Sequence, residues 1–249
     1  MLVMNDALRN MRFMMECLKN IPENESLTLG NGGFCVSTRT ESENWVCFPE
    51  RVKDVETVKR TAEFFGSRGE YFLWPVFDGG CEILAEGGLV QDESLRAMSL
   101  DPDSPVLLRG NDSVTIQAVT SSEGSLKWAE AAWRGFGYDG ETPAEDFCGF
   151  ARNLLGCENF GMYVAELGGK SAGTCLTVSD DAGLVGVNYL SVVPEMRRKG
   201  IAAAIMNEIR RLSNGKKIVL QSSLMGVPFY TAYGFKDCGE IKAFRNREV

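Results

Sequence analysis

The chain has 249 residues, 44% hydrophobic and 24% charged, which is the composition of an ordinary globular protein. It contains no histidine, which excludes a Ser-His-Asp triad, a Cys-His pair and a His-bearing metal site, and no metal is expected. The net charge of −8 lies entirely in residues 1–112, where 11 Lys and Arg face 19 Asp and Glu. That excess disfavours a nucleic-acid-binding surface and mildly favours a cationic ligand, although solubility alone also accounts for it.

The amino-terminal residues do not form a signal peptide, because Asp6, Arg9 and Arg12 interrupt their apolar character. No apolar run approaches the roughly 20 residues of a membrane span, so no membrane partner is expected. Eight cysteines are scattered without a Cys-x-x-Cys pair. The sequence therefore predicts a cytoplasmic protein with free, mostly buried thiols.

Two domains are predicted, residues 1–112 and residues 113–249. The first begins with an amphipathic helix capped by Asn5 or Asp6, followed later by a strand, a proline and a helix within residues 44–65. The boundary falls in residues 99–113, which hold two prolines, three aspartates, a glycine and an asparagine.

The second half alternates strands and helices. The patterns predict strands at 114–119, 162–167, 171–178, 184–193 and 217–221, helices at 125–133, 143–155, 201–212 and 228–233, and a last strand from Phe235. Gly168-Gly169 predicts a hairpin, and Asn214-Gly215 closes the long helix.

The stretch from Val192 to Ile209 passes from a strand through a basic turn into a helix. Unpaired N–H groups and the helix dipole make such a helix start an anion site. Gly200 lets backbone approach a bulky anion, and Ala202 and Ala203 keep the first turn slim. Counter-charge for a diphosphate comes from the cations that precede the glycine: Arg197, Arg198 and Lys199. The Gly-x-x-x-x-Gly-Lys-[Ser/Thr] pattern of a P-loop is absent, and a solvated basic turn is the alternative.

The pattern V-x-P-x-x-R-x-x-G-x-A, from Val192 to Ala202, resembles the acetyl-CoA-binding motif of the GNAT superfamily of N-acetyltransferases. The resemblance implies an α/β fold with a mixed, mostly antiparallel twisted sheet flanked by helices. It also implies that residues 197–203 wrap the coenzyme A pyrophosphate, and that the backbones of Leu190 and Val192 pair with the pantetheine arm.

A second motif, FYTAYGF at 229–235, resembles the late helix of the same family. Tyr230 takes the place of the tyrosine that protonates the departing coenzyme A thiolate, and a phenol can do this chemistry. A packed, non-catalytic Tyr230, or Tyr233 in its place, is the alternative. Ser223 stands where the family often has an asparagine that contacts pantetheine.

The general base is left open. The strand before the loop carries no carboxylate, and Asn188 stands at a common position for the base, where it can orient a water or an amine. Asp139, Glu141, a water chain or a residue of the first half could serve instead, or the amine could arrive neutral.

The first half resembles a degenerate copy of the second. Residues 71–90 align loosely with residues 218–237, but no basic glycine loop precedes the helix of the first half, and Leu84 stands at the place of Tyr230. This predicts a tandem arrangement in which the first half lines the acceptor pocket or acts as a lid. A coincidence of strand and helix patterning is the alternative.

The resemblance implies an acetyltransferase that moves an acetyl group from acetyl-CoA, its co-substrate, to a primary amine of a small or cationic molecule in a ternary complex. A silent acyl-CoA sensor and a nucleotide-diphosphate binder are the competing interpretations. A homodimer is compatible with the sequence, which does not name the acceptor.

Overall fold

The computed structural model describes residues 5–40, 43–48, 51–77, 81–138, 140 and 142–246. Two compact units emerge, one made of Met1–Met98, Gln221–Val227 and Asp237–Val249, the other of Ser99–Leu220 and Pro228–Lys236. Residues 99–112 thus group with the second unit, whereas the sequence-based division cuts the chain once, after residue 112.

The first unit contains three helices and the early strands: α1 (Asp6–Lys19), β1 (Glu25–Gly30), β2 (Gly33–Ser37), β3 (Val46–Cys47), α2 (Val55–Gly66), β4 (Leu73–Phe77), α3 (Glu82–Glu86) and most of β5 (Val90–Leu100). The predicted cap of α1 is confirmed, since Asn5 Oδ1 accepts from the Ala7 N–H at 2.9 Å. Strands β1, β2 and β3 form an antiparallel sheet, and a parallel bridge joins Trp45 to Leu73 at the start of β4.

The remaining elements follow in the predicted order: β6 (Val114–Ala118), α4 (Ser122–Phe136), α5 (Glu145–Asn153), β7 (Phe160–Leu167), β8 (Lys170–Ser179), β9 (Leu184–Val192), α6 (Ile201–Leu212), β10 (Lys217–Ser223), α7 (Val227–Tyr233) and β11 (Lys236–Arg245). In the second unit the strand order is β10-β9-β8-β7-β6. Neighbours pair antiparallel except β9 with β10, which are parallel. The predicted mixed, mostly antiparallel sheet with flanking helices is confirmed.

Aromatic side chains fill the layer between this sheet and the helices α4 and α5. Trp128 of α4 is fully buried, and its Nε1–H donates to the Cys175 carbonyl at 3.1 Å. Its ring lies 5.1 Å from Tyr189 and 6.1 Å from Phe147, centroid to centroid. Because β8 and β9 are covered on this face by aromatic residues, their positions relative to α4 are closely defined.

The first half of the chain, residues 1–112, repeats the element order of the second half. Its sequence β3, α2, β4, α3, β5 matches β9, α6, β10, α7, β11 in type and order. Leu84, which stands at the place of Tyr230, is fully buried in an apolar cluster with Val58, Phe65 and Phe72. Where the second unit carries a tyrosine, the first has a packing residue.

All eight cysteines are free, but "mostly buried" is wrong: three are buried, Cys238 is exposed and four lie between. After denaturation without reductant, a thiol reagent should therefore titrate eight groups. In the native protein Cys238 should react first and the buried Cys35, Cys47 and Cys175 last, because burial raises their pKa values, that of Cys35 to about 12, and the thiolate is the reactive form. Fewer than eight groups would reveal disulfides.

Among the described residues, no helix combines the length and the apolar character needed to cross a membrane. The same part of the chain holds no group of three or more Cys, Asp or Glu arranged to bind a metal ion.

Candidate active site

The parallel strands β9 and β10 pair over a short distance. The register joins Lys217–Val219 to Leu184–Gly186, three residue pairs in all, and ends there. β9 continues to Val192 with β8 as its partner on one side. Among the described residues no strand pairs with its opposite edge beyond Gly186, so an extended ligand can pair there.

A bulge shapes β9 beyond that point. Tyr189 and Leu190 stand opposite the single residue Cys175, and Tyr189 has the left-handed φ of 49° that non-glycine residues rarely adopt. The carbonyls that the bulge frees are satisfied by side chains, since Thr174 Oγ1 donates to the Tyr189 carbonyl at 2.9 Å and Trp128 binds that of Cys175. The bulge is thus held by one side chain of β8 and one of α4.

The backbones of Leu190 and Val192 face the free edge. The Val193 N–H donates to the Ala172 carbonyl of the neighbouring strand at 3.0 Å, so Val193 points toward β8. Alternation along a strand turns Val192 and Leu190 the other way. The Val192 carbonyl already accepts from Arg197 Nε at 3.2 Å, which leaves its N–H and the Leu190 groups facing the edge.

The loop after β9 carries a run of unpaired amides. Arg198 and Gly200 have φ of 64° and 74°, while Arg197 has −61°, and such alternation turns successive N–H groups to one side. Gly200 caps α6 without a side-chain hydrogen bond. Within the described chain, the six N–H groups from Arg198 to Ala203 find no hydrogen-bond acceptor.

The three cations differ in what they contact. Arg198 and Lys199 are exposed beside these amides. Arg197 is also exposed, but its guanidinium donates to the carbonyls of Val192 and, at 3.0 Å, Gly135. Its charge therefore lies at the carboxyl end of α4, where the helix dipole favours a cation. Through these bonds Arg197 connects the loop to that helix.

The first turn of α6 is slim, as predicted. Ala202 is half-buried and Ala203 is 4% exposed, so neither carries a chain that would cover the amides. The helix α2 of the first unit is different. There Asp54 Oδ1 accepts from the Thr57 N–H at 2.7 Å, so a carboxylate of the chain itself already occupies the helix start.

Tyr230 lies in α7, half-buried against Phe229 and Phe235 at centroid distances of 5.2 and 5.3 Å. Burial, with a smaller effect of the nearby Cys175 thiol, raises the pKa of its hydroxyl well above 10. No described residue hydrogen-bonds that hydroxyl. It is a neutral donor beside the bulge of β8 and β9.

Tyr233 is already engaged. Its ring is fully buried, and its hydroxyl donates to Asn207 Oδ1 at 2.8 Å. Burial raises its pKa to about 12. These contacts are those of a packing residue, which separates Tyr233 from Tyr230.

The other predicted residues are placed as follows. Asn188 is half-buried on β9, opposite Leu176 of β8 and just before the bulge. Ser223 ends β10 and belongs to the first unit. Asp139 and Glu141, considered as bases, lie outside the described residues.

Sequence reasoning missed the residues that support this geometry. Thr174 and Trp128 satisfy the bulge, and Gly135 lets α4 approach β9 so closely that a Cβ there would lie 2.3 Å from Ser191 Oγ. A small residue next to the aromatic residues of a helix was the one available signal. The hydrogen-bond donors for these backbone carbonyls come from residues that are distant in sequence, so no local sequence pattern predicts them.

The described residues thus combine a short parallel strand pair, a bulged strand edge and a helix start without a side-chain cap. The fold is that of GCN5-related N-acetyltransferases of known structure. An N-acetyltransferase of this type from Kribbella flavida has 15% identity and a TM-score of 0.69, covering 99% of this chain and 98% of its own. One from Sphaerobacter thermophilus has 17% identity and a TM-score of 0.57, covering 78% and 69%.

A tandem GNAT protein from the clavulanic acid biosynthesis pathway has 11% identity and a TM-score of 0.59, covering 92% of this chain and 84% of its own. At these identities the likeness concerns the fold. No curated protein sequence matches the chain. Residues 158–237 match the family model described as "Acetyltransferase (GNAT) domain". The chain thus carries a GNAT acetyltransferase domain, a fold that supports acyl transfer, and the predicted family is confirmed.

Proposed function

We propose that the protein is an acetyl-CoA-dependent N-acetyltransferase that acts on a primary amine of a small molecule. The observation that carries the proposal is the run of six unpaired amides from Arg198 to Ala203, at the start of a helix and beside two exposed cations. Backbone donors of this kind fit the two phosphates of a diphosphate better than any other group of coenzyme A.

The pantetheine arm would extend from there along the free edge of β9. Its amides can pair with the outward-facing backbone groups of Leu190 and Val192, as an added strand would. Ser223 is assigned to the same arm as a hydroxyl partner. This direction brings the thioester toward the bulge, where Tyr230 and Asn188 are found.

In the reaction, the lone pair of a neutral amine attacks the thioester carbonyl. A C–N bond forms, the C–S bond breaks, the nitrogen loses one proton and the departing sulfur gains one. Tyr230 is proposed to donate the proton to sulfur. Because burial disfavours a phenolate there, Tyr230 must recover a proton as the amine loses its own, so the two transfers are coupled.

Asn188 is proposed to orient the amine or a water, since an amide cannot take up a proton. Negative groups near the acceptor would attract an ammonium ion but would also raise its pKa, which opposes the neutral form that attacks. Negative groups should therefore lie at the periphery of the acceptor rather than at its nitrogen. Without a carboxylate on β9, a silent acyl-CoA-binding module is the alternative.

Calorimetry with acetyl-CoA, coenzyme A and ADP tests the binding step. Saturable binding of acetyl-CoA is expected, with ADP weaker because it lacks the arm that pairs with β9. Equal affinity for ADP would support a nucleotide binder, and no saturable binding of acetyl-CoA would refute the proposal. Release of free coenzyme A across a panel of amines then separates an enzyme from a silent module.

A further inference from the structure

Residues 99–113, here called the strap, lie along α6 in the second unit. Arg210 of α6 donates through Nη2 to the carbonyls of Ser104 and, at 2.7 Å, Pro102. Further along, Gly110 packs directly on the helix backbone, because a Cβ at this position would lie 2.7 Å from Ala204 Cα and 2.8 Å from Ala204 N. The segment that composition marks as a linker is thus a fixed part of this unit.

The strap ends at the amide-lined loop through Asn111. Its side-chain Nδ2 donates to the Lys199 carbonyl at 2.9 Å, and its backbone N–H donates to the Gly200 carbonyl at 3.3 Å. The side chain is itself fixed, since Asn111 Oδ1 accepts from the Ser113 N–H at 2.9 Å. Both polar atoms of the Asn111 side chain are thus hydrogen-bonded, Nδ2 to the loop and Oδ1 within the strap.

These bonds help to determine where the loop amides point: Asn111 holds the Lys199 carbonyl, and it shares the Gly200 carbonyl with the Ala204 N–H, which donates to it at 3.0 Å as the first bond of α6. In a trans peptide the C=O and the following N–H point in opposite directions. Holding the Lys199 and Gly200 carbonyls toward Asn111 therefore turns the N–H groups of Gly200 and Ile201 away from it. Those are two of the six N–H groups without an acceptor in the described chain.

We propose that Asn111 is a positioning residue that orients the loop amides for the diphosphate. It does not touch the ligand, and it acts through the carbonyls of Lys199 and Gly200. The proposal rests on the proposed function, because it needs a diphosphate as the ligand. It adds a residue that determines coenzyme affinity from outside the motif. Asn111 lies some 90 residues before the loop positions 199–200 in the sequence.

The test measures acetyl-CoA and ADP affinities of Asn111→Ala and Asn111→Asp by calorimetry. Both variants should bind both ligands about tenfold more weakly at pH 8, the effect of one to two lost hydrogen bonds. In Asn111→Asp a carboxylate faces carbonyl oxygens, so lowering the pH toward 5 should protonate a part of it, restore a donor and recover affinity relative to the wild type at the same pH. Asn111→Ala should show no such recovery.

Asn24→Asp is the matched control, because Asn24 Nδ2 also donates to a backbone carbonyl, that of Leu18 at 2.8 Å, within the first unit. It should lose comparable stability with unchanged affinity. Wild-type affinity in both Asn111 variants would overturn the inference while leaving the proposed function intact, as would loss without pH recovery in Asn111→Asp. Absence of binding in the wild type would refute the proposed function itself.

Discussion

Replacing Tyr230 by phenylalanine is expected to slow acetyl transfer by about 100- to 10,000-fold, the usual contribution of a positioned proton donor. The hydroxyl lies beside the β8–β9 bulge, has no partner in the described chain and keeps its proton because burial raises its pKa. Its removal should therefore leave acetyl-CoA affinity and thermal stability nearly unchanged. Steady-state kinetics with a reactive amine, together with calorimetry, measure the two effects separately.

Tyr233→Phe is the matched control, since it removes the same atom one turn away in α7. That hydroxyl donates to Asn207, so its loss should cost about 1 kcal/mol of stability and leave the rate nearly unchanged. A pH profile adds a check: because burial raises the pKa of Tyr230 above that of an ordinary phenol, the rate should keep rising as the amine acceptor loses its proton. Equal rates in Tyr230→Phe and wild type would remove Tyr230 from the chemistry.

Gly200→Val is expected to weaken acetyl-CoA binding by about 100-fold. Gly200 has a φ of 74°, and a Cβ there would lie 3.2 Å from the Asn111 N and 3.3 Å from its Cβ. The left-handed conformation alone costs about 1–2 kcal/mol for a residue with a side chain, and a β-branched one would also displace Asn111. The loop should then lose the conformation that aligns its amides, as calorimetry would show.

Gly168→Val separates backbone strain from loop geometry. Gly168 lies in the β7–β8 hairpin with a φ of 61°, and an added Cβ there would have no atom within 4 Å. This variant should lose stability to a similar degree while binding acetyl-CoA normally. If Gly200→Val binds as tightly as the wild type, the loop is not the diphosphate site.

The order of elements from Val114 onward could be predicted because each element has a local signal. Gly168-Gly169 marks a hairpin, and the pattern from Val192 to Ala202 marks the strand, turn and helix that the structure contains. The roles of Tyr230 and Asn188 remain predictions.

The bulge of β9 and the contact of Arg197 could not be predicted from the sequence. The bulge places a tyrosine, Tyr189, at a φ of 49°, where local propensity favours glycine or asparagine, and tertiary packing against Trp128 overrides that preference. The partner of Arg197 is the carbonyl of Gly135, 62 residues earlier in the chain. A cation whose spacing in the sequence predicts ligand binding can thus instead connect two elements of the fold. The spacing alone does not distinguish these two roles.

The contrast between α2 and α6 has a consequence for thermodynamic linkage. The chain caps α2 with Asp54 but leaves α6 without a side-chain cap, and a missing cap typically costs about 1 kcal/mol. Under the proposed function the coenzyme itself becomes the cap of α6. The folding free energy of the second unit would then rise with the concentration of acetyl-CoA, so the supply of the co-substrate would also govern the fraction of the protein that stays folded.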